Sequence, residues 1–135
     1  MKKIIRLAVA AAVAAAIILA IVFVPERVDV PATSPAKAIY NYGGKSIEVV
    51  LTEEESREIA QIFRGRAYKR FEIPACMFSE FASIWFGDDY SYGFYPAFDG
   101  CSNVYDEELD EYFSISYFGH IKLHKILEKY GIEFS

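Results

Sequence analysis

Two histidines, two cysteines and a set of clustered carboxylates are the side chains with which this chain could do chemistry. His120 and His124 stand four residues apart, and no other histidine occurs. On a helix that spacing presents two imidazoles to one side, as a divalent metal needs. A zinc hydrolase also places a glutamate directly after its first histidine, and Ile121 occupies that position here. The pair is therefore read as boundary histidines packing their rings at a sheet edge, and no metal is assigned. Asp88 and Asp89 are adjacent in a tight turn, so their carboxylates diverge and cannot flank a glycosidic bond. The run Asp106-Glu107-Glu108-Leu109-Asp110-Glu111 lacks the glycine and the alternating oxygen ligands of a calcium loop. The chain has no GxSxG elbow, no phosphate loop and no dinucleotide fingerprint. No catalytic residue, metal or cofactor is implied, and an envelope hydrolase or metal-dependent enzyme is the alternative rather than the leading expectation.

Aromatic residues supply the stronger pattern. From Phe78 to Phe118, fourteen of 41 residues are Phe, Tyr or Trp. About half of such a set must fill the core of a domain this small. The tyrosines Tyr90, Tyr92, Tyr95, Tyr105, Tyr112 and Tyr117 lie among acids. No Lys or Arg occurs between Phe71 and Ile121, where there are ten Asp and Glu. Tyrosines and acids without lysine suit protein recognition. The candidate binding face is Tyr90, Tyr92, Tyr95, Tyr105 and Tyr112.

The compartment decides how the cysteines are read. Leu7 to Val24 is an uncharged apolar run of eighteen residues, preceded by Lys2, Lys3 and Arg6. At about 1.5 Å per residue it reaches roughly 27 Å, just enough for a bilayer core. The cationic end favours the cytoplasm, which leaves the remainder outside as a single-pass protein of the cell membrane. The competing reading is a cleaved signal peptide with a site at Val30-Pro31-Ala32 or Ala36-Lys37-Ala38; both are flanked by proline. Either way the rest of the chain is exported. An even cysteine pair, Cys76 and Cys101, then suggests a disulfide, with two free thiols or a metal-binding or catalytic thiol as alternatives. Three of the 14 Lys and Arg lie in residues 1–6, which leaves 11 against 19 acids. A domain that acidic is repelled by phosphate backbones, so no nucleic acid is expected as a partner.

Three segments follow from these patterns: a signal anchor over 1–24, a Pro-rich stalk over 25–37 and an extracytoplasmic domain over 38–135. The stalk has three prolines in thirteen residues and no apolar periodicity. Gly43-Gly44 between alternating runs predicts a hairpin over 38–51. Thr52 followed by Glu55 is a capping box opening a helix that Gly65 stops at C′. Residues 66–73 read equally as a strand or an extended connection. Residues 79–86, 90–95, 102–105 and 111–115 read as short strands. Ser116 caps a last helix reaching Tyr130, with Gly131 ending it and Ile132 placed for an apolar contact. The order ββαββββα after a transmembrane helix is an α+β fold: a small antiparallel sheet packed by two helices.

Pro74-Ala75-Cys76-Met77-Phe78 and Pro96-Ala97-Phe98-Asp99-Gly100-Cys101 resemble a pattern in small, uncharacterised exported or membrane-anchored proteins of Gram-positive bacteria. In that pattern glycine stands where this chain has Met77. The resemblance extends loosely from the Thr52 helix to Gly131. It implies the exported location and the pairing of Cys76 with Cys101, and it carries no activity. Taken together, the residues lead to the expectation of a membrane-anchored module that binds an envelope protein or peptide.

Overall fold

A computed structural model describes residues 1–23, 26–67, 76, 81–97 and 99–134. Val24-Pro25, the segment 68–73, the residues Pro74, Ala75, Met77, Phe78 and Phe98 of the cysteine motif, and Ser79-Glu80 lie outside the described residues. Helix α1 spans Lys2–Phe23, 22 residues long, and the apolar side chains of residues 2–22 turn to the surroundings rather than into a core. Its length and composition are those of a helix that crosses a membrane or serves as a signal sequence. A two-residue strand β1 (Glu26–Arg27) follows.

Strands β2 (Lys37–Tyr42) and β3 (Lys45–Val50) form the expected hairpin. Gly43 and Gly44 both have positive φ, 62° and 78°, which matches the twist of the two strands as few other residues could. Helix α2 (Glu53–Phe63) opens on a complete capping box: the Glu55 N–H donates to Thr52 Oγ1, and the Thr52 N–H donates to Glu55 Oε2, each at 3.1 Å. Its end differs from expectation. Arg64 leaves the helix in an extended conformation (φ −63°, ψ 120°), and Gly65 is not among the positive-φ glycines. The chain turns directly into β4 (Arg66–Ala67), which pairs antiparallel with β1. That pairing, rather than a left-handed glycine, stops the helix.

Strands β5 (Ala82–Phe86), β6 (Tyr92–Pro96), β7 (Asn103–Asp106) and β8 (Glu111–Ser114) complete a six-stranded antiparallel sheet in the order β3-β2-β5-β6-β7-β8. Helix α3 (Tyr117–Glu128) is capped by the Ser116 hydroxyl, which accepts the Gly119 N–H at 3.0 Å. Gly131 (φ 79°) ends it in a Schellman arrangement: the Ile132 N–H donates to the Leu127 carbonyl at 3.2 Å and the Gly131 N–H to that of Glu128 at 3.0 Å. The result is the α+β fold with both domain helices on one sheet face.

Between the sheet and the helices, Phe63 lies against Phe94, Phe113 and Phe86 at centroid distances of 5.1, 6.0 and 6.3 Å. Ile59, Leu123, Ile126 and Leu127 close the core from the helix side. The helices run antiparallel and are latched at one end by Glu55, whose carboxylate accepts from the Tyr130 hydroxyl, from Lys129 Nζ at 3.3 Å and from the Thr52 N–H. Burial pushes this carboxyl up, but the hydrogen bonds from Tyr130, Thr52 and Lys129 outweigh it and hold Glu55 below the usual glutamate range.

Of the expected stalk over 25–37, residues 26–37 do not behave as a free linker. Val28, Val30 and Ala36 are 2%, 3% and 0% exposed and belong to the core cluster. The Val28 N–H donates to the Gly65 carbonyl at 3.2 Å, and the Ala36 N–H to the Ser56 hydroxyl at 2.8 Å. The segment lacks periodicity because it contributes isolated side chains to the core instead of one repeating face. The folded unit therefore starts at Glu26, not at Ala38.

Candidate functional site

On the sheet face turned away from the helices, aromatic rings form a continuous row across four strands. Alternation along each strand puts them there: Ile84 and Phe86, Phe94, Val104 and Phe113 point into the core, so Trp85, Tyr95, Tyr105 and Tyr112 point outward. Register then aligns them. Tyr95 stands opposite Tyr105, and Tyr105 opposite Tyr112. Centroid distances along the row are 5.9 Å (Trp85–Tyr95), 6.0 Å (Tyr95–Tyr105) and 5.1 Å (Tyr105–Tyr112). Cross-strand pairs of this kind each contribute about 0.2–1 kcal/mol.

Glycine at position 93, paired with Trp85, is a steric requirement. A Cβ there would lie 2.7 Å from one carbon of the Trp85 ring and 2.6 Å from Glu107 Oε2. The indole therefore lies over the Gly93 backbone, and its Nε1–H donates to Ser83 Oγ at 2.9 Å on the same face. The same contact places the Glu107 carboxylate beside the indole.

A second acid meets the row at Tyr105, whose hydroxyl donates to Asp110 Oδ1 at 2.7 Å. That hydrogen bond, then burial, then the Asp110, Tyr112 and Glu107 groups push the Tyr105 phenol up to about 12. Asp106 is 2% exposed and turns the strand end inward: its Oδ1 accepts the Glu108 and Leu109 N–H groups at 3.0 and 3.3 Å. Burial raises its carboxyl, against the pull of those two N–H groups. The turn so shaped carries Glu107 and Asp110 to the edge of the aromatic row.

Of the five tyrosines read from the sequence, Tyr95, Tyr105 and Tyr112 come together in this row. Tyr90 (φ 55°) sits at its margin with Lys37 Nζ 4.6 Å from its ring centroid, and Lys37 stands opposite Trp85. Tyr92 is placed elsewhere: it is paired with Phe86 and packs on the core from the helix-side face. Trp85 was missing from the sequence-derived set. Its signal was present in the alternation Ala82, Ile84, Phe86, which leaves position 85 on the other face.

Cys76 and Cys101 are joined in a disulfide with Cα atoms 6.1 Å apart. The closed loop is worth about 3–4 kcal/mol in the chain-entropy account. Asn103 Nδ2 donates to Cys76 Sγ at 3.0 Å, and Ser114 Oγ to Asn103 Oδ1 at 2.6 Å, so the bridge is tied to the end of the same sheet face. The Asp99 carboxylate lies near both sulfurs, but these are bonded to each other and offer no thiolate to a metal.

The two histidines lie with centroids 4.1 Å apart, and His124 stacks on Phe134 at 4.5 Å and 19°. Burial, then the neighbouring His120, pushes His124 below its usual range, which favours the neutral ring. Among the described residues neither imidazole is hydrogen-bonded to an acid or a cysteine. A cleft of about 140 Å³ is lined by Ala32, Thr33, Ser34, Glu53 and Arg57, away from both histidines. It is smaller than the roughly 300–1,000 Å³ of most small-molecule sites. No family model, curated protein or solved structure matches this chain.

Proposed function

We propose that this chain is a membrane-anchored extracytoplasmic domain that binds a protein or peptide of the cell envelope through the Trp85–Tyr95–Tyr105–Tyr112 row. The chemistry of that row selects a basic segment. Ring faces attract cations, and Glu107 and Asp110 supply carboxylates within reach of the same rings. The observation that carries the reading is the alignment of four aromatic side chains with two acids on a sheet face that the core does not need.

An attached anchor is supported by the role of residues 26–38. Cleavage after Ala32 would remove Val28 and Val30 from the core, and cleavage after Ala38 would cut β2. Each buried valine is worth about 1.5–3 kcal/mol. The orientation follows from the basic residues ahead of the apolar run, and the disulfide fits an oxidising exterior. The resemblance to small exported proteins of Gram-positive bacteria points to the same location.

Trp85 is the only tryptophan and reports on the row directly. Full-length protein in detergent is titrated with a decapeptide rich in Lys and Arg and, separately, with one rich in Glu, following Trp85 emission. The basic peptide should shift the emission, and Glu107→Gln/Asp110→Asn should weaken its binding by about tenfold, the equivalent of one lost charge-assisted contact. An emission unmoved by the basic peptide, or moved equally by both, would sink the proposal.

A further inference from the structure

We infer that Tyr117 and Phe118 form a second membrane contact, seating the domain on the headgroup layer of the bilayer that α1 enters. This rests on the reading of α1 as an anchor. Only residues 24 and 25 separate the end of α1 at Phe23 from β1 at Glu26. Three Cα–Cα steps span at most about 11 Å. With Val28 and Val30 already in the core, the domain has no slack with which to stand clear of the surface.

The fold determines which side faces the surface. β1 pairs with β4, β4 packs beside β8, and β8 leads through Ser116 straight into α3. The last turn of α2, just before β4, meets the first turn of α3: a Cβ on Gly119 would lie 3.0 Å from Ile62 Cγ2. The junction with the anchor and the start of α3 thus share the β8 edge of the domain. At that edge Tyr117 and Phe118 are 70% and 81% exposed, and their rings pack on each other, 5.8 Å apart, not on the core.

Adjacent aromatics left in water have no role in the fold, whereas the headgroup layer is where Tyr and Phe rings settle. The first turn of α3 carries no acid that an anionic surface would repel. The acidic turn 107–110 lies at the other end of β8, four residues or about 13 Å away. Bilayer contact at Ser116 therefore leaves Glu107 and Asp110 on the side away from the membrane.

The test uses full-length protein in vesicles of phosphatidylglycerol and phosphatidylcholine with brominated acyl chains. Phe118→Trp adds a reporter to the wild-type baseline from Trp85, and Tyr117→Trp provides a second reporter at the neighbouring position. Retention after an alkaline carbonate wash reports on α1 separately. The expected result is retention, with bromolipid removing about half of the added emission at either position, as for a ring at the headgroup–acyl boundary. Retention with no more quenching than the wild type overturns the inference and leaves the anchor standing. Loss of protein in the wash overturns both.

Discussion

Substituting Glu55 by glutamine tests the latch that joins the two domain helices. The carboxylate receives the Thr52 N–H, the Tyr130 hydroxyl and Lys129 Nζ. The Lys129 side chain is 62% exposed, so its ion pair contributes little. The other two are hydrogen bonds to a charged group, each worth about 1.5–3 kcal/mol. Glutamine keeps the size and one carbonyl oxygen but loses the charge and one acceptor. We expect Glu55→Gln to destabilise the fold by about 1–3 kcal/mol at neutral pH. The pH dependence has a definite sign. The folded carboxyl titrates below its unfolded value of about 4.3, so its contribution is full above that value and disappears as pH falls through the lower folded value. Urea melts of full-length protein in detergent, followed by Trp85 fluorescence at neutral pH and at about pH 3, measure both effects. A variant within about 0.5 kcal/mol of wild type at neutral pH would refute the latch. A gap undiminished in acid would refute its charged character.

Three more substitutions probe the packing that sequence patterns did not reveal. Gly93→Ala should force the Trp85 indole off the backbone, destabilise the fold by about 1–3 kcal/mol and change the near-ultraviolet circular dichroism of the row. Unchanged spectra and stability would mean that the indole does not lie there. Val28→Ala and Val30→Ala should each cost about 1.5–3 kcal/mol in the same urea melts, whereas a free stalk would show almost no effect.

Features decided within a few residues were legible in the sequence. The Thr52–Glu55 box, the Ser116 cap, the Gly43-Gly44 turn and the Gly131 stop each satisfy backbone groups of their own segment, so their signatures are local. The apolar run read as a long helix for the same reason. Strand parity was also present: Tyr92 shares its parity with Phe94, which makes it a core-side residue, while Tyr95 falls on the other face. Grouping tyrosines by composition ignored that parity and also passed over Trp85.

Contacts between segments far apart in the chain became visible only in the tertiary structure. Val28, Val30 and Ala36 are separate residues in a proline-rich stretch, and nothing in their spacing says that they meet a core built from residues 38–132. Gly65 carries the usual sign of a helix stop, yet the pairing of β4 with β1, some 40 positions away in sequence, sets the backbone there. The Glu55–Tyr130 bond, the indole over Gly93 and the shared edge of Tyr117 with the anchor junction arise in the same way. The chain alone determined the three helices, the β2–β3 turn and the caps at Thr52, Ser116 and Gly131, because those interactions close within a turn, whereas β1, β4 and the end of α2 depend on each other. Which faces are buried, which remain open, and how near the folded unit begins to the apolar helix were decided by the packing of distant segments against one another.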